Sequence, residues 1–515
     1  MKRLWSRKLN NVLRRPSNDR VHKVKQKADA GMRKEQTVSA AHCISQHDPP
    51  AMQSGVSLTH KDGVIETLKP QRAITESSRN RVLLPSFANA HDHGRGLKTL
   101  AYGVADQAVE TWVAGTYTLP PIDPYLIAAN AFANMAQNGI GSVVHCHLSR
   151  DPEKLIEEAA AVKKAAEDVG IRVAFVVPLR DRHRLAYAND EHVLSSMPAD
   201  LSDKIGKRLK PIPSINAQID AARTIARFDQ SNLFKVQLGP VGVEWCSHPL
   251  LERVSELAHE LKIRVHMHML ESRYQREWAD NTFPNGILQY LDQVGLLNEK
   301  LTIAHGTWLT PQECQLLANK KVTVSINTSS NLRLRSGIAP LTSLRHANTR
   351  FAIGLDALAL DDDDDILREI RLTHLLHAGL GFEQGITQPN VMHAACSNGA
   401  CATGNAGGRL EPGQPADFVV LNLERINQDI DSALIDIPTL ISARATGQDI
   451  ESLVVAGRTV THHRRILGVD QRVISAALKD AIEPHTRALC DGRAEFEKYR
   501  QSIEQFYRDG GHLRQ

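Results

Sequence analysis

Two histidines separated by one residue stand at the end of a short apolar stretch and could begin a metal site. The stretch is 83–90, and it is followed by His91, Asp92 and His93 and then by a turn at Gly94. In a strand, side chains two residues apart point to the same face, so the two imidazoles can converge on one point. Neutral imidazole nitrogens suit zinc and iron. Because the chain contains 23 His, this pair alone is equally compatible with an ordinary strand end at the surface.

Later segments end in the same kinds of side chain. An apolar stretch at 263–270 carries His266 and His268, a second stretch stops at His305, and a third stops at Asp356. One such ending is ordinary. Four of them, in a chain whose strands and helices alternate, indicate one site at the carboxyl rim of a barrel.

The elements that must position these residues lie between positions 85 and 408, where strand-like and helix-like patterns alternate. Helices are predicted at Asp151–Val169, His248–Leu261, Pro311–Asn319 and Asp364–Ala378. Strands are predicted to end near His93, His147, Pro178, Gly239, His268, His305, Asn327 and Asp356. Eight strands alternating with helices predict an α/β fold, the (β/α)8 TIM barrel.

Taken in order, these motifs resemble those of the amidohydrolase superfamily. More narrowly, they are similar to its mononuclear aminohydrolase branch, which includes cytosine, guanine, S-adenosylhomocysteine and triazine deaminases. The matching segments are PSFANAHDH at 85–93, HMHMLES at 266–272, AHG at 304–306, NTSSNL at 327–332 and GLD at 354–356. The resemblance covers roughly 54–470, and it is the ordered set that is specific. It implies a metal-dependent hydrolase of C–N bonds that deaminates an amino-substituted nitrogen heterocycle through a metal-bound hydroxide.

The resemblance also implies the metal ligands, which would be His91, His93, His268 and Asp356. They would hold one divalent metal, zinc, with ferrous iron as the alternative. The family spacing His-x-x-Glu assigns His268 as the ligand. His266 would then lie one layer deeper, as a neutral, hydrogen-bonded histidine of the core. Such a metal would lower the pKa of a bound water towards neutrality.

Three residues would carry the proton and charge chemistry. Glu271 would protonate a ring nitrogen and later the leaving ammonia, although an acid at the start of a helix could also be a simple surface residue. His305 would stabilise the charge of the tetrahedral intermediate, with a fifth metal ligand as the competing role. Asp356 would bind the metal and accept the proton of the nucleophile.

Substrate contacts are expected at or soon after strand ends, where the specificity residues of a barrel lie. The candidates are Tyr102, His147, Arg180 and Gln237, and Arg95 occupies a similar position. Gln237 could offer both a donor and an acceptor to an amide-like ring edge. Each of these residues is also compatible with a structural role.

The flanks of the barrel show strand patterns. Segments 54–60 and 64–68 alternate apolar and polar residues around an Asp-Gly turn, which predicts a hairpin. Segments 408–421 and 454–460 resemble the return of the superfamily chain to its small domain. We therefore expect a basic, disordered extension at 1–36, a small β-sandwich domain from 37–84 plus 409–470, the barrel at 85–408, and C-terminal helices at 471–515.

The amino-acid composition argues against two classes of binding partner, nucleic acids and membranes. The net charge is +4 and much of the basic excess lies near the N-terminus, so the body lacks the concentrated basic face of a nucleic-acid-binding protein. Seven scattered Cys without a Cys-x-x-Cys pair predict reduced thiols in a cytosol-like compartment. No apolar stretch is long enough to span a bilayer, so we expect no membrane partner. Organelle targeting by the N-terminus is the minority alternative, and a homo-oligomer is left open.

Two other functions compete with deamination. A binuclear amidohydrolase that opens a cyclic amide would need a carboxylated lysine at the end of the fourth strand. Lys235 is the only candidate there and lies inside the strand. Glu271, three residues after His268, favours the mononuclear type. A non-catalytic scaffold is the third alternative, but relatives of that kind have typically lost metal ligands. The chain departs from its relatives at Thr328, where they often carry proline.

Overall fold

The computed structural model describes residues 35–71, 73–229, 231–357, 363–431 and 434–514. Most of the basic N-terminal segment therefore lies outside the described residues. The strands are β1 (Gln36–His47), β2 (Pro50–Lys61), β3 (Val64–Pro70), β4 (Arg81–Pro85), β5 (Phe87–Asp92), β6 (Ile140–Cys146), β7 (Arg172–Leu179), β8 (Phe234–Pro240), β9 (Val265–Met269), β10 (Leu301–His305), β11 (Thr323–Ile326), β12 (Arg350–Ile353), β13 (Gly379–Leu380), β14 (Glu383–Gln384), β15 (Phe418–Asn422), β16 (Ile450–Val455), β17 (Arg458–His462) and β18 (Arg465–Ile466).

Helices follow most of the barrel strands and also extend the chain beyond the barrel. They are α1 (Val109–Thr116), α2 (Pro124–Gln137), α3 (Leu155–Val169), α4 (Asp190–Ser195), α5 (Ala199–Arg208), α6 (Ile215–Ala226), α7 (His248–Leu261), α8 (Arg273–Thr282), α9 (Ile287–Gln293), α10 (Pro311–Asn319), α11 (Thr328–Arg333), α12 (Leu341–His346), α13 (Ile366–His377), α14 (Gln388–His393), α15 (Gly399–Thr403), α16 (Ile437–Arg444), α17 (Gln471–Ile482) and α18 (Thr486–Arg508).

Strands β5 to β12 form the predicted barrel. Each pairs in parallel with its neighbour, in the order in which they occur along the chain. The first and last strands meet through a parallel bridge between Asp92 and Asp356. In addition, the amide of Leu355 donates to the side-chain oxygen of Asn89 at 3.0 Å. The expectation of a (β/α)8 barrel with a small β-domain from both flanks is confirmed.

Local signals set several helix boundaries. Helices α7 and α10 match the predicted ranges residue for residue. The hydroxyl of Ser247 accepts the amide of Leu250 at the start of α7, and Thr310 and Glu313 form a capping box at the start of α10. Helix α3 begins at Leu155, later than expected, because a 3-10 turn occupies Pro152–Lys154.

The apolar stretch that leads to the histidines is two strands, not one. Strand β4 belongs to the small sheet and β5 to the barrel, with Ser86 between them. Pro85 has no amide hydrogen and so cannot continue a central ladder as a donor. The chain therefore passes directly from the small domain into the barrel, six residues before His91.

The small domain is a mixed sheet with the strand order β18-β17-β16-β15-β4-β1-β2-β3. Ile65 of β3 shares a buried apolar cluster with Phe418 and Val454, although these residues lie far apart in the strand order. The sheet therefore curls over its own core. Arg172, the first residue of β7, makes a two-pronged ion pair with Asp417 at 2.7 and 3.0 Å and thereby ties the barrel to this sheet. The residue boundaries of the domains stay a prediction.

The C-terminal helices pack outside the barrel, as expected. Ile503, Phe506 and Tyr507 of α18 are buried within the main apolar core. Among the described helices, none is both long and apolar enough to cross a membrane. All seven cysteines lie in the described ranges and are unpaired, which agrees with the prediction of free thiols.

Candidate functional site

The closure of the barrel brings the residues of the first and last strands together. His93 donates its backbone amide to the carbonyl of Asp356 at 2.7 Å, and Asp356 donates its own amide to the carbonyl of His91 at 2.9 Å. His268 comes from the carboxyl end of β9. These four side chains, which the sequence proposed as ligands, therefore meet at one rim of the barrel.

The donor atoms of this set converge at distances that suit a metal ion. Asp356 Oδ1 lies 3.2 Å from His91 Nε2 and 3.4 Å from His93 Nε2. The Nε2 atoms of His93 and His268 are 3.2 Å apart. Tetrahedral zinc with bonds of 2.0–2.1 Å separates its ligand atoms by about 3.3 Å. His91 Nε2 is also buried without a hydrogen-bond partner among the described residues. The residues present thus fit a divalent metal.

The other ring nitrogen of each histidine is held by a neighbour. His93 Nδ1 lies 2.9 Å from the carbonyl of Cys146, and His268 Nδ1 lies 2.7 Å from that of Val241. His91 Nδ1 lies 2.8 Å from Nε2 of His266, which is 1% exposed. A carbonyl oxygen can only accept, so Nδ1 carries the hydrogen in His93 and His268 and their Nε2 lone pairs point to the common centre. His266 is a hydrogen-bonded core histidine, as expected.

The electrostatics keep these imidazoles neutral. Burial lowers the pKa of His91 and His93, and it lowers the pKa of His268 to about 3. Burial of Asp356 acts to raise its pKa, but the adjacent imidazoles, first His91 and then His305 and His93, hold that pKa well below the usual range. The site therefore presents three neutral nitrogens and one carboxylate at neutral pH, which is the protonation state that a metal requires.

Glu271 and His305 lie beside this centre. Glu271 is 4% exposed, and its Oε2 lies 3.7 Å from His305 Nε2. Ser336 donates its hydroxyl to Glu271 Oε1 at 3.3 Å. On the far side of the imidazole, His305 Nδ1 lies 2.9 Å from Oδ1 of Asn331. Burial raises the pKa of Glu271 to about 7, so both protonation states are populated near neutrality.

Three residues at this rim adopt left-handed backbone conformations. The φ angles are 49° at Leu270, 71° at His305 and 70° at Asp356. Non-glycine residues adopt such conformations at a cost and tend to cluster at functional sites. Gly94, in the turn after β5, also has a left-handed backbone, with φ 58°. A Cβ added at this position would lie 2.2 Å from His145 Nδ1.

Two acids near Glu271, the half-buried Glu110 and the buried Glu244, were not predicted from the sequence. Glu110 accepts hydrogen bonds from the hydroxyls of Ser272 and Tyr187. The second acid, Glu244, is linked to Glu271 through Gln275. The side-chain oxygen of Gln275 accepts the backbone amide of Glu271 at 2.6 Å, and its side-chain nitrogen donates to Glu244 Oε1 at 2.9 Å. An acid between two apolar residues, as in Val243-Glu244-Trp245, is the only sequence signal that could have indicated Glu244.

The four candidate substrate contacts differ in where they lie. His147 lines a small pocket at the rim, together with His93 and His268. His147 Nε2 also pairs with Glu158 at 2.8 Å. Gln237 is 2% exposed and donates to the carbonyl of Ala402 in the barrel interior.

The other two candidate substrate contacts are Tyr102 and Arg180. They lie elsewhere in the barrel domain, as does Lys235, the lysine that a binuclear site would need. Tyr102 ends a 3-10 helix after β5 and is partly exposed. The Arg180 guanidinium stands 6.0 Å from the centre of the Trp245 ring. Lys235 is the second residue of β8, and its side chain runs near Gly404 and Arg264, at the amino end of the strands.

Residues 82–460 match the amidohydrolase family. The chain is 27% identical over 433 residues to the 5′-deoxyadenosine deaminase of Methanosphaera stadtmanae, covering 80% of this chain and 90% of that protein. It is 28% identical over 415 residues to the 5-methylthioadenosine/S-adenosylhomocysteine deaminase of Pyrococcus abyssi, covering 79% and 88%.

Solved structures share the fold. An adenosine deaminase from Xanthomonas campestris with bound zinc superposes with a TM-score of 0.72 at 22% identity, covering 88% of this chain and 98% of that one. A guanine deaminase from C. acetobutylicum with bound guanine gives 0.66 at 16% identity, covering 83% and 100%.

Proposed function

The chain belongs to the amidohydrolase family of C–N bond hydrolases, and we propose that it replaces the exocyclic amino group of a nitrogen heterocycle by oxygen, releasing ammonia. The observation that carries this proposal is the buried Glu271 carboxyl, 3.7 Å from His305 and beside the convergent ligand set. An adenine-type ring is the first candidate, because the relatives described above are named as deaminases of adenosine derivatives.

The proposed metal site consists of His91, His93, His268 and Asp356. Three nitrogens and one carboxylate oxygen favour zinc, with ferrous iron as the alternative. A divalent ion held there would lower the pKa of water and make a nucleophile available at neutral pH. His305 is kept outside the ligand set, because Asn331 and Glu271 face its two ring nitrogens.

The residues of the chain would move the protons. Addition of water to the ring carbon forms a C–O bond and places a negative charge on the ring nitrogen, which takes a proton from Glu271. Asp356 accepts the proton of the attacking water. The proton of the adduct's hydroxyl then passes through Glu271 to the amino group, the C–N bond breaks as the C=O bond forms, ammonia leaves, and the proton held by Asp356 returns to Glu271. His305 stabilises the charge that develops at the oxygen.

The two competing functions receive less support. A binuclear ring-opening enzyme needs a lysine at the rim, whereas the Lys235 side chain runs near Gly404 at the opposite end of the strands. A scaffold without catalysis would have no use for a full set of convergent ligands beside a buried acid. We therefore retain the mononuclear aminohydrolase.

The test is ammonia release by zinc-loaded protein across aminated purines, pyrimidines and triazines. We expect at least one ring to be turned over, and a Glu271→Gln variant to bind zinc normally but lose at least a hundredfold in rate, as is typical for a general acid or base. Glu252→Gln, on the exposed face of α7, is the matched control. Equal rates in the two variants would contradict the role of Glu271.

A further inference from the structure

Arg95 is a half-buried cation at the edge of the site, and its guanidinium makes no ion pair or hydrogen bond among the described residues. It follows His93 by two residues, and its charge interacts with both His93 and Asp356. Its Nη1 is buried and makes no hydrogen bond, and no carboxylate in the described part of the chain forms an ion pair with its guanidinium. A buried hydrogen-bond donor without an acceptor is costly, so the Nη1 group is expected to meet a ligand.

The carboxylates nearest to Arg95 are already engaged. Asp92 accepts hydrogen bonds from the Asn89 side chain at 2.8 Å and from the Gly94 amide at 2.6 Å. Asp356 accepts the hydroxyl of Ser330 and belongs to the proposed ligand set. Both acids act on the charge of Arg95 through space, but neither forms an ion pair or a hydrogen bond with its guanidinium.

Trp112 provides a second unpartnered donor at the same place. The Arg95 guanidinium lies 4.8 Å from the centre of the Trp112 ring, which is a stacking distance. The Trp112 side chain is 3% exposed, and its Nε1 is buried without a hydrogen-bond partner among the described residues. An indole nitrogen can only donate. Two adjacent side chains thus offer hydrogens to an acceptor that the described residues do not supply.

Arg150 and Arg172, by contrast, are satisfied within the described chain, whereas Arg182 and Arg264 each leave a buried Nε without a partner there. Arg150, next in space to Arg95, donates to the carbonyls of Thr116 and Leu119 near the end of α1. Arg172 pairs with Asp417 in a two-pronged contact. Arg95 differs from these arginines in that it is stacked on a second side chain, Trp112, which also has a donor unpartnered among the described residues.

We propose that Arg95, stacked on Trp112, recognises an oxyanion carried by the heterocyclic substrate. This inference rests on the proposed function, because it concerns the substrate of the same site. A guanidinium binds carboxylate and phosphate oxygens with two parallel hydrogen bonds, so both groups share the required chemistry. Because Arg95 follows His93 by two residues, the oxyanion would belong to the substrate that occupies this site.

The test is equilibrium binding by calorimetry to zinc-loaded Glu271→Gln protein, which separates recognition from turnover. The probes are pterin against pterin-6-carboxylate, and adenosine against adenosine 5′-phosphate. We expect the charged member of at least one pair to bind tenfold or more tightly than the neutral member. The pair that shows this preference distinguishes a carboxylate from a phosphate.

Substitution of Arg95 then tests whether this residue causes the preference for the charged ligand. We expect Arg95→Met to bring the two members of the pair to equal affinity, and Arg95→Lys to retain part of the difference because charge remains but the fork is lost. Arg253→Met removes the same charge from an exposed part of α7 and should keep the preference. Zinc content and circular dichroism confirm that each variant is folded.

The outcomes are separable from those of the proposed function. Equal binding of neutral and charged members to protein with Arg95 intact, or no binding of either, would overturn the oxyanion site. A preference that survives Arg95→Met would also overturn it. A preference that depends on Arg95, without ammonia release by protein that retains Glu271, would leave the oxyanion site standing and refute deamination.

Discussion

His91 Nδ1 lies 2.8 Å from Nε2 of His266, so a histidine one layer below the proposed metal site contacts one that belongs to it. The two rings are nearly parallel, with an interplanar angle of 7°, which is consistent with a hydrogen bond in the plane of both rings. If His91 donates its Nδ1 hydrogen to His266, its Nε2 lone pair is fixed towards Asp356 and the common centre. His266 would then orient a ligand without contacting the metal.

The first prediction concerns this pair. Replacement of His266 by phenylalanine removes the acceptor and keeps a ring of similar size. We expect zinc affinity to fall roughly tenfold to a hundredfold, as for other partners of metal-bound histidines. Competition with a chelator measures it. The same substitution at the exposed His485 should leave the affinity unchanged, and an unchanged affinity in both variants would show that His266 is only a packing residue.

The second prediction concerns pH and stability. Burial raises the pKa of Glu244 from 4.5 to about 7, so folding favours the protonated acid. Its contribution to stability is present below pH 4.5 and is lost as the pH rises towards 7. Glu244→Gln removes this dependence. The variant should gain in unfolding free energy relative to the parent between pH 5 and pH 8, by at most about 3 kcal/mol.

Denaturant titrations of zinc-loaded protein at several pH values measure that difference. The Gln275 amide, which donates to Glu244 at 2.9 Å, can donate equally to the glutamine oxygen, so the comparison preserves the contact. A stability difference that does not change with pH would mean that Glu244 is ionised in the folded protein at pH 5.

The third prediction concerns His305. Asn331 Oδ1 lies 2.9 Å from His305 Nδ1 and fixes the ring that faces Glu271. Asn331→Ala should lower kcat about tenfold, the worth of one buried hydrogen bond, and leave zinc content unchanged. Asn319→Ala, at the end of α10, is the control. Loss of zinc in the Asn331 variant would instead favour His305 as a metal ligand.

The fourth prediction uses two glycines with left-handed backbones. A Cβ at Gly94 would lie 2.2 Å from His145 Nδ1, whereas a Cβ at Gly413 has nothing within 4 Å. Replacement of Gly413 by alanine should lower the free energy of unfolding only by the cost of holding alanine in a left-handed conformation, about 1–2 kcal/mol. Gly94→Ala adds the clash and displaces His93, so it should destabilise more and lower zinc affinity. Thermal unfolding and zinc titration separate the two effects.

The barrel could be predicted because it depends on local periodicity, whereas the ligand set was implied by the resemblance to the amidohydrolase superfamily and stays a prediction. Side chains two apart in a strand share a face, so His91 and His93 could be read as a convergent pair, and apolar stretches ending in polar residues located the rim. The end of β12 was less accurate, since the strand stops at Ile353 and the backbone turns before it reaches Asp356.

The surroundings of the site could not be predicted in this way. Glu110 and Ser272 lie 162 residues apart, and Arg95 meets Trp112 across a loop. Such contacts depend on how the segments after the strands fold over the rim, which leaves no periodic pattern in the sequence. The same limit applies to Gln237, whose strand position was compatible with the rim but whose amide contacts Ala402 in the interior.

The most direct test of the account is ammonia release measured together with metal content in one preparation. The account predicts about one zinc per chain, ammonia formed from an aminated heterocycle, and loss and recovery of this activity as zinc is removed with a chelator and returned. Zinc bound in that ratio without ammonia from any aminated ring, or ammonia release that persists after zinc is removed, would contradict metal-dependent deamination.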